Sequence, residues 1–551
     1  MTIHPFDAST PFNASTLPLW QALLLIAPTV LATSSALFAT DRADTRADTA
    51  AAWRGARRAT TASLGLAVVG LLGVVSGGSA VGFGLRADRI GGAVTLLVAF
   101  VGWVIVRYSQ PYLNGEPEER RYVRWLMATL AAVGVVIAAN HVLLLALAWM
   151  ATSMAMHRLL NFFGHRPAAV AAAHKKFIAA RLADVCMLGA AALLALAFGT
   201  LHIDEIVTRA ASSASLPFAA QAAVVLIAAA ALLKCAQLPF HGWLIQVMEA
   251  PTPVSALMHA GVVNLGGFVL IRFAPLVSQV PAAQVLLVAV GASTAVLAAL
   301  VMTTRISVKV KLAWSTCAQM GFMLMECGLG AWELALLHLL AHSLYKAHAF
   351  LGAGGAVRRA MVHQLSPPEQ APDMWTLLLG AAASLGMTVV AGFAWSLLYP
   401  QLTASSTTWT TGVLAAIVAL ALVPLMSGRA SQLGRRWLPV LLLGTFGVAS
   451  AYFGLHLVFA RWVGTDTRTP PAGLLVAVAV AFAALFLVQC MIAASPQGRA
   501  VRRLYPWFYG GLFLDEKLSR LIFSVWPPPP PAPAALPLPV TVSAVQIGRR
   551  S

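Results

Sequence analysis

Apolar runs of membrane-spanning length recur along the whole of this chain. A hydrocarbon core about 30 Å thick is crossed by about 20 residues of α-helix, and lipid tolerates no unpaired backbone groups. Predominantly apolar windows of this kind fall near residues 18–38, 62–84, 91–108, 122–139, 141–157, 177–199, 219–249, 252–274, 282–303, 309–328, 331–356, 373–398, 411–427, 437–460 and 472–494. The chain is therefore predicted to be an all-α, polytopic membrane protein of about 14–15 transmembrane helices.

Composition leaves no room for a soluble domain of useful size. Of the 551 residues, 59% are hydrophobic and 10% are charged. A net charge of +18 would indicate nucleic-acid binding in a soluble protein, whereas here it indicates basic loops that face the cytoplasm. The five cysteines lie in apolar segments without C-x-x-C spacing, which predicts buried free thiols. We therefore predict no metal site, no cofactor and no nucleic-acid partner.

Basic residues concentrate in alternate loops. The loops after segments 1, 3, 5, 9, 11 and 13 carry two to five each, and the intervening loops carry none to two. The basic residues are Arg42, Arg46, Arg54, Arg57, Arg58, Arg120, Arg121, Arg124, Arg158, Arg166, Lys175, Lys176, Arg305, Lys309, Lys311, Arg358, Arg359, Arg429, Arg435 and Arg436. Because cytoplasmic loops are enriched in lysine and arginine, the N-terminus is predicted to lie outside and the C-terminus in the cytoplasm. The expected location is the cell (inner) membrane.

The chain changes character after the last apolar segment. Residues 499–526 are basic and aromatic, which predicts a helix at the membrane interface, and a proline-rich tail follows from Trp526. We divide the chain into N-terminal transmembrane helices (1–120), a central core (121–400), C-terminal transmembrane helices (401–498) and the basic segment with its tail (499–551).

The most informative stretch is residues 232–272. An apolar helix carrying Lys234 is interrupted at Pro239, breaks again at Pro251, and is followed by an apolar helix carrying His259. A cation inside a membrane helix costs several kcal/mol and is usually retained for a function, and a proline frees backbone groups that need polar partners. These residues indicate a polar path near the middle of the membrane. The alternative is that Lys234 extends to an interface and the prolines only bend the helices.

Two further segments carry ionisable residues in helical register. Arg181 and Asp184 are spaced i, i+3, which fits either a structural ion pair or part of a path. His338, His342 and Lys346 are spaced i, i+4, i+8, which places them on one stripe of one helix. Because histidine titrates near neutral pH, this stripe favours a proton relay over packing. Three other ionisable residues lie nearby. Glu333 and His348 lie off the stripe, and Glu326 is interpreted only as a helix-end residue.

Long motifs in these segments resemble the proton-conducting, antiporter-like membrane subunits of respiratory complex I and of multisubunit sodium/proton antiporters. They are KCAQLPFHGWL, EAPTPVSALMHA, LAWSTCAQMG and H-x3-H-x3-K before FLGAG, within residues 86–395. The resemblance implies inverted repeats with broken helices and makes residues 121–400 an antiporter-like, proton-conducting core. It also implies that Asp184 is the carboxylate partner of Lys234, and that Lys309 is the lysine of the LAWSTCAQMG motif.

Two positions depart from that pattern. Met150 stands where the family has a glutamate in segment 5, and Leu397 stands where it has a lysine in segment 12. With the segment WMATSMAMHRLLNFF, these departures look like the membrane subunits of DAB-type inorganic carbon pumps, the DabB family. That resemblance implies a large soluble, zinc-containing, carbonic-anhydrase-like partner of the DabA type. It implies a transporter subunit without catalysis of its own, whose cation flow, H+ in the first hypothesis, drives CO2 hydration in the partner.

We expect the ion path to contain Lys234 as the switchable cation, Asp184 with Arg181 beside it, and His259 as a neighbour. His338, His342 and Lys346 would form the relay at one end, and Lys309 belongs to the same expected path. Two alternatives remain open. One is a subunit of a redox-driven pump or a sodium/proton antiporter, and the other is a non-conducting anchor, which the losses at Met150 and Leu397 would favour.

Overall fold

The computed structural model describes residues 19–38, 46–356, 361, 372–400, 408–424, 426, 437–463 and 470–531. Several residues of the charge argument lie outside the described residues, as does the tail from 532: Arg42, Arg358, Arg359, Arg429, Arg435 and Arg436. The predicted orientation of the termini and the predicted division into four regions stay predictions.

The described part of the chain is almost entirely helical. The first helices are α1 (Leu19–Phe38), α2 (Arg46–Gly77), α3 (Arg89–Tyr112), α4 (Glu119–Ala138), α5 (Val142–Leu160), α6 (Pro167–Phe198), α7 (Ile203–Ser212) and α8 (Phe218–Lys234). A short antiparallel hairpin of β1 (Ala80–Gly82) and β2 (Leu85–Ala87) joins α2 to α3.

The central and C-terminal helices complete the fold. They are α9 (Gly242–Gln246), α10 (Thr252–Ala260), α11 (Leu265–Arg272), α12 (Ala274–Val277), α13 (Pro281–Thr303), α14 (Val308–Gly328), α15 (Trp332–Leu351), α16 (Met374–Leu398), α17 (Thr408–Ala421), α18 (Leu438–Val463), α19 (Ala472–Ala494), α20 (Arg499–Tyr509) and α21 (Leu514–Val525). Each of the fifteen predicted segments coincides with a helix or a pair of helices, so the all-α membrane fold is confirmed.

Fewer helices pass a simple test for spanning a membrane than the sequence windows predicted. In the described ranges, ten segments are long and apolar enough to cross: α2 to α6, the α10–α11 pair, α13, α16, α18 and α19. Two shorter apolar helices, α8 and α17, add to these. Helices α14 and α15 are not among the ten because their lysines, histidines and glutamates lower their hydropathy. Helices α14 and α15 thus fail because of their ionisable residues, whereas α8 and α17 fail because they are short.

The charges assigned to loops mostly extend the helices instead, which corrects the sequence prediction. Helix α2 begins at Arg46 and α6 begins at Pro167, well before the apolar windows near 62 and 177. Lys175 and Lys176 are therefore buried in α6 and do not lie in a cytoplasmic loop. A hydropathy window detects contact with lipid, and it misses helical turns whose polar side chains face the rest of the protein.

The predicted breaks near Pro239 and Pro251 are present, and a third break, after α10, was not predicted. The chain leaves helical geometry between Lys234 and Gly242, where Ala236 has a φ of 52°. Helices α10 and α11 are separated by a turn at Gly261 and Val262–Asn264. Broken helices free backbone groups at membrane depth, which requires a protein-lined interior.

Close backbone contact sets the position of α14 against α13. A Cβ atom placed on Gly321 would lie 2.5 Å from the carbonyl oxygen of Gly291, and one on Gly291 would lie 2.6 Å from the carbonyl oxygen of Gly321. Small residues at such a crossing let two membrane helices pack backbone to backbone. Helix α14 is therefore packed closely against α13.

The C-terminal helices return to the core of the protein. Asp515, in the first turn of α21, accepts hydrogen bonds from Lys175 of α6 at 2.9 Å and from Gln246 of α9 at 3.0 Å. A Cβ atom on Gly242 would lie 1.5 Å from Oδ1 of Asp515, so only glycine permits this approach. Helix α21 is thereby attached to the segment that follows the Lys234 break.

Candidate ion path

Lys234 ends α8 and points into the protein. Its Nζ donates a hydrogen bond to Oγ of Ser153 at 2.7 Å and to the carbonyl oxygen of Trp149 at 3.4 Å. The same atom lies 4.4 Å from the centroid of the Trp149 ring, which attracts a cation. Lys234 is only 5% exposed, so it is buried against α5 and does not extend to an interface.

A second buried lysine, Lys176, shares the same serine. Its Nζ donates to the backbone carbonyl oxygen of Ser153 at 2.6 Å, and the residue is 3% exposed. Lys176 and Lys234 also line one small cavity, together with Met258 of α10. We call Lys176, Lys234 and Ser153 the lysine cluster. The sequence analysis missed Lys176 and Ser153, because Lys176 was assigned to a loop and Ser153 shows no signal in a one-dimensional pattern.

Asp184 supplies the negative charge beside the lysine cluster. Nη2 of Arg181 lies 2.6 Å from Oδ2 of Asp184, one turn earlier on α6. The contact lacks hydrogen-bond geometry, so within the described residues both carboxylate oxygens have no hydrogen-bond donor. Asp184 also interacts electrostatically with Lys234 and Lys176. The structure thus places Arg181 in direct contact with Asp184, and the two lysines act on the carboxylate over a longer range.

Helix α15 directs its ionisable stripe at α14. Nζ of Lys346 donates to Oγ of Ser315 and, at 3.3 Å, to the carbonyl oxygen of Leu312. Nδ1 of His338 lies 3.0 Å from Oε2 of Glu326. Glu326, interpreted from the sequence as a helix-end residue, is therefore the acidic partner of the first histidine.

His342 lies between these two contacts. Its Nδ1 is 2.7 Å from Oε1 of Gln319, and its Nε2 is 3.2 Å from the backbone carbonyl oxygen of His259. Both partners are oxygen acceptors as placed. The ring satisfies both only as an imidazolium, or with the Gln319 amide turned to donate. His342 can therefore hold or release a proton, with release accompanied by a turn of the Gln319 amide.

We call the contacts from Lys346 through His342 to His338 the histidine line. Their partners on α14 are Ser315, Gln319 and Glu326. At a rise of 1.5 Å per residue, those partners extend about 16 Å along α14, half the thickness of a hydrocarbon core. Ser315, Gln319 and Glu326 share one helical face, so their spacing was a signal available in the sequence.

His259 lies between the lysine cluster and the histidine line. It is fully buried, and its ring stacks on Phe350 with centroids 4.4 Å apart. Neither ring nitrogen has a hydrogen-bond partner among the described residues. The preceding residue, Met258, lines the cavity beside Lys234, so α10 contacts both groups. A buried polar group without a protein partner is costly, which makes a passive role for His259 hard to explain.

Lys309 lies apart from these groups. Its Nζ donates to Oγ1 of Thr252, at the start of α10, at 2.8 Å.

The two positions that depart from the family pattern, 150 and 397, lie in different surroundings. Met150 is half-buried in α5 beside Trp149, whereas Leu397 of α16 is 67% exposed. The residue at 397 therefore takes no part in the interior of this chain.

A separate ion pair anchors the ends of α3 and α11. Asp88 accepts from the backbone N–H of Gly91 at 2.7 Å, contacts Arg272, and lies 2.9 Å from Nε of Arg86. Burial opposes ionisation of this carboxyl, but the charges of Arg272 and Arg86 outweigh burial and lower the pKa of Asp88. The arrangement is that of a structural anchor outside the path.

No metal centre is visible in the part of the chain that the structure describes. There, no group of three or more histidine, cysteine, aspartate or glutamate residues is placed to hold an ion. The chemistry that these residues support is the movement of protons or small cations between buried charged groups.

Comparisons with known proteins identify the family that this chain resembles. The transmembrane family of NADH:quinone oxidoreductase and Mrp antiporter subunits matches residues 139–367, and the N-terminal family of complex I chain 5 matches residues 74–123. The probable inorganic carbon transporter subunit DabB of Hydrogenovibrio crunogenus is 46% identical over 438 residues, covering 78% of this chain and 81% of the relative. DabB2 of Halothiobacillus neapolitanus, also a probable inorganic carbon transporter subunit, is 38% identical over 443 residues, covering 78% of each chain.

A solved structure shares the fold. A chain of the Mrp complex from Dietzia sp. superposes with a TM-score of 0.54 at 22% sequence identity, covering 92% of this chain and 56% of the other. At that identity the likeness concerns the fold alone, and it supports the antiporter-like arrangement of broken helices.

Proposed function

This chain belongs to the DabB family of inorganic carbon transporter subunits, and from that premise we propose that it conducts H+ to drive inorganic carbon uptake. The chain is a multi-pass, antiporter-like membrane protein that acts as a transporter subunit. The proposal adds the ion, its path and the task to which its flow is coupled.

The observation that carries the proposal is the lysine cluster. Two buried lysines donate hydrogen bonds to one serine. Arg181, one turn before Asp184 on the same helix, contacts the carboxylate of Asp184. Burying such charges costs several kcal/mol per ion unless they are well paired. The cluster is therefore poised to exchange a proton, because neutralising one lysine relieves both burial and like-charge repulsion.

The path we propose uses both groups of residues. Lys234 is the switchable cation, with Lys176 and the Arg181–Asp184 pair setting its charge state. His259 connects the lysine cluster to the histidine line across α10. His338, His342 and Lys346 form the relay at the other side. Lys309, which donates a hydrogen bond to Thr252 at the start of α10, is proposed to hold that helix in position.

Membrane energy is sufficient for the coupled reaction. Moving one elementary charge through 100 mV releases about 2.3 kcal/mol, which corresponds to roughly 50-fold in an equilibrium constant. One or two protons could therefore drive CO2 hydration well past its equilibrium. We propose that hydration occurs in a large soluble, zinc-containing, carbonic-anhydrase-like partner of the DabA type, at the cytoplasmic side of the inner membrane.

Co-purification tests the partner. The tagged chain is extracted from its native membrane in mild detergent, and the associated proteins are identified by mass spectrometry and assayed for zinc. We expect one large soluble zinc protein in a fixed ratio to this chain. Several further antiporter-like membrane subunits, without a zinc protein, would contradict the proposal.

That contrary result would favour the second candidate, a proton-translocating subunit of a respiratory complex or of a sodium/proton antiporter. The matched family, which is described by both kinds of complex, is the observation in its favour. Under that candidate, inorganic carbon uptake would be unaffected by loss of the chain, and quinone-linked or sodium-linked proton transport would fall instead.

A further inference from the structure

Two buried glutamate–histidine pairs lie between α14, α15 and α18. In the first, Nδ1 of His338 is 3.0 Å from Oε2 of Glu326. In the second, Nδ1 of His456 on α18 is 3.3 Å from Oε1 of Glu333. The side chains of Glu326, Glu333 and His456 are each at most 10% exposed. We call these four residues the Glu–His cluster.

The second pair is not a simple structural bond. The contact between His456 and Glu333 lacks hydrogen-bond geometry, so Nδ1 of His456 has no hydrogen-bond partner in the described ranges. The hydroxyl of Tyr452, one turn earlier on α18, is also buried without a partner there. Buried polar groups are normally bonded, and several unsatisfied ones in one place indicate a functional site.

The Glu–His cluster lies where the histidine line reaches one end of its helices. Glu326 is two residues before the end of α14 at Gly328, and Glu333 is the second residue of α15. Lys346, by contrast, contacts Ser315 in the first half of α14. The His338 ring belongs to both groups, and its centroid is 6.0 Å from that of His342. The cluster therefore continues the line toward the membrane surface.

The neighbouring helices α16 and α18 differ in the ionisable side chains that they carry. Helix α16 contains no ionisable side chain from Met374 to Leu398. Helix α18, which packs directly against α15, contributes both His456 and Tyr452 to the interior. A proton that reaches His338 can continue only where titratable groups lie close together, which favours the α15–α18 side.

We propose that the Glu–His cluster is a proton-binding site that forms the outer mouth of the histidine line, between α15 and α18. The inference rests on the proposed function, since it assigns an exit to the same path. In each transfer a carboxyl O–H bond breaks and an imidazole N–H bond forms at Nδ1, leaving a carboxylate and an imidazolium. The reverse transfer restores both groups, so no other reactant is needed.

The test measures the initial rate of labelled inorganic carbon uptake in cells that contain the whole complex. We expect Glu333→Gln and His456→Gln each to lower the rate roughly 10-fold or more, because each removes a proton acceptor. Abundance in the membrane and the melting temperature of the purified complex should stay unchanged. Glu333→Asp, which keeps the carboxyl, should retain a measurable part of the rate. His348→Gln is the matched control, since His348 lies on the exposed face of α15.

Three outcomes would contradict the inference. If Glu333→Gln and His456→Gln show wild-type rates while Lys234→Ala abolishes uptake, the Glu–His cluster is not the mouth of the histidine line. The proposed function would then still stand. A loss of rate that only accompanies loss of abundance or of heat stability would make the two pairs structural. Full uptake with Lys234→Ala would contradict the proposed function itself, and this inference with it.

Discussion

Removing one hydroxyl group from the lysine cluster should disable transport while leaving the fold intact. Oγ of Ser153 accepts the shortest hydrogen bond of Lys234, at 2.7 Å, and the other acceptor, the Trp149 carbonyl, lies at 3.4 Å. A hydrogen bond to a charged group contributes about 1.5–3 kcal/mol. Ser153→Ala should therefore shift the balance between charged and neutral Lys234 by roughly 10- to 150-fold.

The assay is the initial rate of labelled bicarbonate uptake, normalised to the amount of the chain in the membrane. We expect Ser153→Ala to lower the rate at least 10-fold at neutral pH, and Ser153→Thr, which keeps a hydroxyl, to lower it much less. The preceding residue provides a matched control. Thr152 is equally buried, but its hydroxyl donates to the Ala148 carbonyl oxygen at 2.9 Å within its own helix, so Thr152→Ala should keep most of the rate. Wild-type uptake in Ser153→Ala at normal abundance would refute the reasoning.

Three further predictions follow from particular contacts. Gly242→Ala should detach α21, because the new Cβ would overlap Asp515, and limited proteolysis of the membrane-embedded protein should then cleave near residue 510; protection equal to wild type would argue against this attachment. Asp88→Asn should destabilise the protein by about 3–5 kcal/mol, because it leaves Arg272 buried without its ion pair. Thermal unfolding in detergent measures this effect, and an unchanged melting temperature would contradict it. Since the pKa of Asp88 is lowered in the folded state, its contribution is complete at neutral pH and is lost as the pH falls through that lowered value. Met150→Glu should impair uptake, because an added carboxylate beside Trp149 would compete for Lys234; an unchanged or faster rate would mean that the path tolerates the family's usual charge.

Hydropathy and helical spacing predicted the segments and much of the candidate site. Apolar length located the ten segments of the described ranges that are long and apolar enough to cross a membrane, because contact with lipid is a property of local sequence. The i, i+4, i+8 spacing of His338, His342 and Lys346 predicted one stripe, and the structure turns that stripe toward α14. The same reasoning could have predicted Glu326 as the partner of His338, since the two residues are only twelve positions apart in a helical hairpin.

Other features depend on tertiary contacts that no local pattern contains. Ser153 and Lys234 are 81 residues apart, and their bond exists only because α5 packs beside the end of α8. Lys175 and Lys176 were placed in a loop, since a charged pair beside an apolar window has the same pattern whether it faces water or a protein interior. Only the folded chain shows that this pair faces the protein interior, because there Lys175 donates a hydrogen bond to Asp515, 340 residues later.

The most direct test of the central claim is uptake of labelled inorganic carbon by cells whose complex carries Lys234→Ala, compared with Lys311→Ala, which removes an exposed lysine. The two variants should be present in the membrane at equal abundance and should retain the same associated proteins. If Lys234 is the switchable cation of an energy-coupling path, uptake is lost in Lys234→Ala and preserved in Lys311→Ala. Full uptake by a well-expressed Lys234→Ala complex would contradict the account.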